Sequence, residues 1–276
     1  EWDPFAIFTT GGRSIFYPPS VVFLAQRNQY ALAFGTGDRE DLWREQSPPQ
    51  TGRFFVMLDP GLTADTVPSP IYDETHLIEN IQSDSTFVFG DLLDDETYTV
   101  TDTQLPGYSF QLAENERLLD RPKTVSGVTA FVTFNPESVA TNGVCEATGA
   151  TNIFAFFTRT SVGLLEDQER FRSVSGLAAS LFASTTSGGV TAGGGSGSGS
   201  GGGDGGSGSD TGDGPNAEQL DTRMQDIMAA LREQMPDNCR FSDHLRVDFQ
   251  VYQADTQVEM VAPIPICQIV DNWKDL

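Results

Sequence analysis

Residues 10–59 read TGGRSIFYPPSVVFLAQRNQYALAFGTGDREDLWREQSPPQTGRFFVMLD, and this stretch decides the fold class. It contains three short apolar segments, at residues 20–24, 30–34 and 52–58, which a polar tract and a longer loop separate. Segments rich in Val, Phe and Tyr and bounded by Gly, Pro and Asn are typical of the strands of an antiparallel meander. A helix does not fit, because prolines and glycines interrupt every 3.6-residue period.

Further strand-like segments follow this stretch. Residues 107–112 and 124–134 are apolar and are separated by a polar turn, so we expect them to pair with each other. Residues 152–159, NIFAFFTR, form the most apolar segment, which predicts a central strand buried on both faces. A hairpin is expected between residues 245–252 and 257–262. The shorter candidates are strands at 5–8, 86–90 and 97–101, and a helical turn or a strand at 76–81 and 177–182.

The composition changes abruptly at residue 188. Residues 188–214 carry more than half of the 28 glycines, interleaved with Ser and Asp, and have too little apolar surface to fold. They predict a disordered linker or loop. Residues 216–235 then predict an amphipathic helix that Pro236 ends. Its apolar stripe consists of Leu220, Met224, Ile227, Met228 and Leu231. The stripe either packs on the sheet of the same chain or docks into a partner. We therefore divide the chain into residues 1–187, 188–214 and 215–276.

The sequence is strongly acidic, with 39 Asp and Glu residues against 16 Lys and Arg residues and a net charge of −23. A nucleic-acid-binding face needs clustered Lys and Arg, so this composition argues against nucleic acid as a partner. It argues equally against a polybasic contact with a membrane. No apolar run approaches the roughly 20 residues that a membrane-spanning helix needs. A solvated acidic surface is the ordinary explanation of the charge, and affinity for divalent cations is the alternative.

The sequence has three cysteines, Cys145, Cys239 and Cys267, and none of them lies in a C-x-x-C motif. Cys239 and Cys267 flank the expected hairpin at comparable distances from its turn, so they are candidates for a disulfide in an oxidising compartment. Two alternatives stay open: Cys145 pairs with one of the other two, or all three are buried thiols.

Catalytic motifs are scarce. The sequence has two histidines, His76 and His244, and no G-x-S-x-G nucleophile elbow. The segment GTG at 35–37 lacks the third glycine and the following helix of a dinucleotide-binding fingerprint, so it predicts a turn in which glycine adopts positive φ. We therefore predict no catalytic residues and no cofactor in this chain.

Acidic clusters occur at residues 38–41, 91–96 and 204–213. Calcium takes about six to eight oxygen ligands, usually from a D-x-D-x-D-G run that a later Glu closes. None of the three clusters has this pattern. Asp210 and Asp213, in the segment DTGDG, come nearest to it and are the candidate metal ligands.

Several segments together resemble the C-terminal propeller of the PilY/PilC family of type IV pilus tip-associated proteins. The first are PPSVV at 18–22, AFGTGDRE at 33–40 and RFFVMLD at 53–59, which resemble one propeller blade. The resemblance continues in PGYSFQL at 106–112, ERLLDRP at 116–122 and VTFNP at 132–136, and returns in VDNWKDL at 270–276. It covers roughly residues 14–164, whereas the Gly/Ser insertion and the helix behind it depart from the family pattern.

The resemblance implies an all-β fold, namely the last blades of a β-propeller, with a disordered Gly/Ser insertion and one helix. Since a propeller closes radially, a fragment of it would need upstream residues or another chain to cover its open edge. The family's propeller normally continues well upstream, so we expect that Glu1 is not the natural start of the protein.

The resemblance also implies a function. We expect a non-enzymatic component of the pilus tip that acts in pilus assembly and adhesion, is exported to the bacterial cell surface or pilus tip, and has minor pilins as partners. Calcium belongs to the parent family, although no matching loop occurs here. The alternatives are a quinoprotein-like propeller enzyme and a stand-alone filament-forming β subunit.

Overall fold

The protein is built almost entirely from β-strands, which confirms the predicted fold class as all-β. The computed structural model describes residues 4–24, 28–37, 42, 51–82, 100–101, 103–137, 148–165, 170–187, 229, 239–253 and 258–269. Thirteen strands in three sheets account for most of these residues. Within these ranges no helix is both long and apolar enough to span a membrane. The expected strand at 86–90 and residues 97–99 of the expected strand at 97–101 lie outside the described residues.

The first sheet contains β1 (Ser20–Leu24), β2 (Gln29–Gly35), β3 (Thr51–Leu58), β4 (Leu77–Gln82) and β5 (Leu105–Glu114), in the order β1-β2-β3-β5-β4. The first three form the predicted antiparallel meander, and Asn28 turns the chain between β1 and β2 with a φ of +53°. β5 runs antiparallel to β3 and parallel to β4. The segment 76–81 therefore resolves as a strand, which a 3₁₀ turn at Glu74–His76 precedes.

The second sheet is antiparallel and contains β6 (Arg117–Leu118), β7 (Lys123–Val125), β8 (Val128–Glu137), β9 (Thr148–Phe157) and β10 (Phe171–Ser175). Its order is β10-β9-β8-β6, and β7 also pairs with β8. A two-residue turn joins β7 to β8, with positive φ at both Ser126 and Gly127, as the right-handed twist of a hairpin favours.

The third sheet contains β11 (Ala178–Ser187), β12 (Cys239–Gln253) and β13 (Val258–Ile269), which are paired antiparallel in that order. The expected hairpin between 245–252 and 257–262 is confirmed, with longer strands on both sides. The segment 177–182 resolves as a strand from Ala178 onward. Ser187 pairs with Leu245, so the chain leaves this sheet at the point where the Gly/Ser-rich composition begins and returns to the neighbouring strand.

The expected pairing of 107–112 with 124–134 is wrong. β5 pairs with β3 and β4, whereas β8 pairs with β6, β7 and β9. The two segments lie in different sheets that face each other, and Phe110 and Phe131 belong to the same buried cluster between those sheets. The short strands β6 and β7, which lie between them in sequence, take the hydrogen bonds at the edge of β8 instead.

The second sheet is buried on both faces. Side chains alternate along its strands, so each strand contributes residues to both faces. One face contributes Phe131, Phe154 and Phe156 to the cluster shared with the first sheet. The opposite face packs against Leu181 and Phe249 of the third sheet. The prediction of a central strand at 152–159 is confirmed, since β9 lies inside this sheet and is buried from Thr151 to Phe157.

A continuous stack of phenylalanine rings joins the first two sheets. The ring of Phe54 on β3 lies parallel to that of Phe131 on β8, with centroids 3.7 Å apart. Phe131 stacks on Phe154 at 4.4 Å, and Phe154 stacks on Phe171 at 5.1 Å. All of these rings except that of Phe171 are fully buried, so the stack forms the centre of the core.

A row of polar side chains lies beside this stack on the same face of the second sheet, each two residues away from the phenylalanine of its strand. Thr133 on β8 and the amide nitrogen of Asn152 on β9, at 2.7 Å, both donate to Oε1 of Glu116. The other oxygen of Glu116 accepts from the backbone amide of Ala113 at 2.6 Å. Ser173 on β10 donates to the amide oxygen of Asn152. The buried carboxylate therefore has a donor for each of its oxygens.

We expect Phe131→Ala to lower the free energy of unfolding by about 3–5 kcal/mol, because it leaves a cavity between Phe54 and Phe154. Urea denaturation followed by circular dichroism measures this loss. Phe23→Ala, at a ring that is 49% exposed, is the matched control and should change the stability by less than about 0.5 kcal/mol. Equal losses in the two variants would contradict the assignment of the stack as the centre of the core.

We expect Glu116→Ala to lower the free energy of unfolding by about 2–3 kcal/mol, because it leaves the buried hydroxyl of Thr133 and the amide of Asn152 without their acceptor. Glu114→Ala, at an exposed position in the same turn region, is the control and should be nearly neutral. The same denaturation measurement compares them. A neutral Glu116→Ala variant would show that the polar row does not depend on the carboxylate.

Candidate functional site: the apolar edge of the first sheet

The first sheet ends in a strand that presents apolar side chains to solvent. β1 lies at the end of the strand order, and no other described strand pairs with its outer side. Val21, Phe23 and, on the neighbouring strand, Tyr30 are 53%, 49% and 51% exposed. Phe23 and Tyr30 are register partners, and their ring centroids lie 5.2 Å apart. We call these three residues the apolar edge.

The local sequence explains this exposure. In SVVFL the side chains alternate, so Leu24 turns inward to a small cluster with Ala31 and Leu58, against which Val22 packs. Val21 and Phe23 turn outward. A strand with one buried face usually carries polar residues on its other face. β1 is apolar on both faces and contains no charge, proline or bulge, which are the usual protections of an exposed edge.

Nearer the middle of the first sheet, over β2 and β3, Phe8 covers the same outer face. Phe8 packs edge-on against Phe34 of β2 and Phe55 of β3, at 5.9 and 5.3 Å between centroids. The expected strand at 5–8 is reduced to a single parallel bridge between Phe8 and Tyr72. The segment around Phe8 therefore covers β2 and β3, and the exposed apolar surface begins where this cover stops.

The residues of the apolar edge are suited to binding a partner. They offer two aromatic rings, a branched aliphatic side chain and the backbone of an edge strand, to which an extended segment of a partner can add by hydrogen bonding. Sequence reasoning expected an open edge but did not identify these residues. The available signal was the absence of apolar–polar alternation in SVVFL.

Most of the site residues predicted from sequence fall outside the part of the chain that the structure describes. This applies to the metal candidates Asp210 and Asp213 and to the docking stripe of the expected helix at 216–235. Among the described residues, no group of three His, Cys, Asp or Glu side chains could hold a metal ion.

The two candidate disulfide cysteines lie on paired strands. Cys239 on β12 is opposite Ile269, and Cys267 on β13 is opposite Phe241, so the two cysteines are offset by two positions. Their side chains lie outside the described part of the structure, and the bridge stays a prediction. Cys145 is likewise outside the described residues.

The histidine and glycine positions have structural roles where the structure describes them. Nδ1 of His76 lies 2.8 Å from Oδ1 of Asp73, the residue that caps the short 3₁₀ turn. Gly37 has a φ of +152°, and a Cβ atom there would lie only 2.6 Å from the backbone nitrogen of Leu118. The segment GTG therefore lets the first sheet approach β6 of the second, as a turn glycine does.

The comparison with solved structures finds a weak structural likeness. Among solved structures, the crystal structure of the C-terminal domain of PilY1 from Pseudomonas aeruginosa is similar to this chain, with 12% sequence identity and a TM-score of 0.39. The alignment covers 62% of this chain and 41% of that chain. A TM-score of this size does not establish a shared fold. No family model matches the sequence, and no curated protein matches it.

Proposed function

We propose that this chain is part of a non-enzymatic type IV pilus tip-associated protein that acts in pilus assembly and in adhesion to surfaces or cells. The sequence resemblance to the PilY/PilC family over residues 14–164 supports this proposal. The apolar edge is the observation that carries it, since Val21, Phe23 and Tyr30 offer a contact surface of the kind that an assembly component needs. The proposed location is the bacterial cell surface or pilus tip.

The proposed architecture is a partial β-propeller without a cofactor or metal in this chain. Three sheets pack one on the next in chain order, with the second sheet buried on both faces, which is how consecutive blades would pack. In such a propeller the outer face of the first sheet is where a preceding blade or a partner would lie. The proposed partners of the apolar edge are therefore upstream residues of the same protein or a pilus tip component such as a minor pilin.

The test is a double variant, Val21→Lys and Phe23→Lys, introduced into the full-length gene of the bacterium that makes the protein. Lysine on an edge strand opposes strand addition and apolar packing, so we expect surface pili to fall at least about tenfold and surface attachment to fall with them. Leu177→Lys, at another exposed apolar residue, is the control. Normal piliation and attachment in a double variant that accumulates and folds like the unchanged protein would overturn the proposal.

The same edge supports a second candidate, a filament in which β1 pairs with β1 of another copy. An antiparallel pairing of SVVFL about its central Val22 would place Val21 of one copy opposite Phe23 of the next. In this case light scattering by the purified chain should rise with concentration and disappear in the double lysine variant. A chain that stays monomeric up to about 100 μM excludes the filament and leaves the pilus-tip proposal standing.

A further inference from the structure

Two arginines and one glutamate form a compact cluster on this otherwise acidic protein. Oε2 of Glu74 lies 3.4 Å from Nη1 of Arg13 and 3.2 Å from Nε of Arg53. The side chain of Arg13 is 21% exposed, that of Arg53 15% and that of Glu74 28%. They are therefore mostly covered by protein but still reach the surface.

Hydrogen bonds to the backbone fix the guanidinium group of Arg13, and the strand that carries Arg53 is fixed beside it. Arg13 donates from Nε to the carbonyl of Thr51 at 3.0 Å and from Nη1 to the carbonyl of Thr10 at 2.9 Å. Arg53 lies on β3, and its backbone amide donates to the hydroxyl of Thr36 at 2.8 Å. Glu74 is the first residue of the 3₁₀ turn that Asp73 caps. The cluster is thus held in place from three separate segments of the chain.

The cluster has more positive than negative charge. A single carboxylate lies between two guanidinium groups, so the three side chains together carry one excess positive charge. Among the described residues, the buried Nη1 of Arg53 has no hydrogen-bond partner, and the contact of its Nε with Glu74 at 3.2 Å is an ion pair without hydrogen-bond geometry. Burial lowers the pKa of Arg53, Glu74 raises it, and the neighbouring Arg13 lowers it further. The excess positive charge and the unpartnered Nη1 indicate that one carboxylate does not satisfy both arginines.

We propose that Arg13 and Arg53 bind an oxyanion, a carboxylate or a phosphate, and that Glu74 occupies this site when the ligand is absent. The guanidinium group presents parallel N–H donors in a planar fork that matches the two oxygens of such a group. The partial exposure of Glu74 lets its side chain turn towards solvent when a ligand oxyanion replaces it. The site does not depend on the pilus assignment, because its argument uses the cluster alone.

The net charge of the protein sets the expected strength of binding. A chain of charge −23 repels an approaching anion at long range, whereas the contact with the two guanidinium groups is short. At about 0.1 M salt the repulsion is screened beyond about 10 Å, and the direct contacts dominate. The affinity for a small free anion should therefore be weak, with a dissociation constant in the millimolar range. It should depend on the side chains of Arg13, Arg53 and Glu74.

The test is titration of the folded chain with inorganic phosphate and, separately, with acetate. The Nε–H signals of the arginines are followed by NMR and assigned with Arg13→Lys and Arg53→Lys. We expect saturable shifts at these two arginines. Glu74→Gln, which keeps the shape but removes the competing charge, should tighten binding about tenfold. Arg53→Lys should weaken it about tenfold, since an ammonium group cannot make the two parallel bonds.

Arg121→Gln, at an exposed arginine away from the cluster, is the control and should leave the affinity unchanged. Tighter binding of phosphate than of acetate would identify a phosphoryl group as the ligand, and the reverse order would identify a carboxylate. The proposal fails if the two signals do not shift, if all arginines shift alike, or if Glu74→Gln leaves the affinity as it was. Each of those results would make the cluster a structural ion triad.

Discussion

The stack of Phe54, Phe131, Phe154 and Phe171 is the interaction on which the rest of the structure depends. Each ring comes from a different strand, β3, β8, β9 and β10, and Phe131, Phe154 and Phe171 are direct register partners in the second sheet. A slip of one residue in any of these strands would turn its ring to the opposite face. The stack therefore fixes the registers of the second sheet and, through Phe54, the position of the first sheet on it.

Burial of the second sheet on both faces has a polar consequence. The row next to the phenylalanines consists of Thr133, Asn152 and Ser173, which are register partners on β8, β9 and β10. Polar groups under a packed sheet need partners, and Glu116 closes this row with its carboxylate. Stacked rings and a closed hydrogen-bonded row lie side by side, so the interface is specified by shape in one row and by donor–acceptor pairing in the next.

The sequence was most informative where the structure is local. The strands of the 10–59 stretch, the central position of β9 and the final hairpin follow from periodicity and turn residues. The pairing of β5 was wrong because segments 107–112 and 124–134 are both apolar, and apolarity does not distinguish strands that share hydrogen bonds from strands that face each other. The arginine cluster was missed for a related reason, since it joins Arg13, Arg53 and Glu74 from three distant segments. Of the apolar edge, only the lack of alternation in SVVFL was visible in sequence.

The apolar edge and the arginine cluster lie on one face of the first sheet. Val21 is the register partner of Leu32, and Phe23 is that of Tyr30. Leu32 is in turn opposite Met57 on β3. Since alternate residues of a strand point to the same face, Arg53, four residues before Met57, shares this face. Phe8 covers the part of this face between the two sites. Thr36, beside Arg53, is six residues from Tyr30 along the chain, which corresponds to about 20 Å. A partner that covers this face would therefore contact an apolar strand edge at one end and two guanidinium groups at the other, so apolar packing would supply affinity and the charged pair would supply orientation.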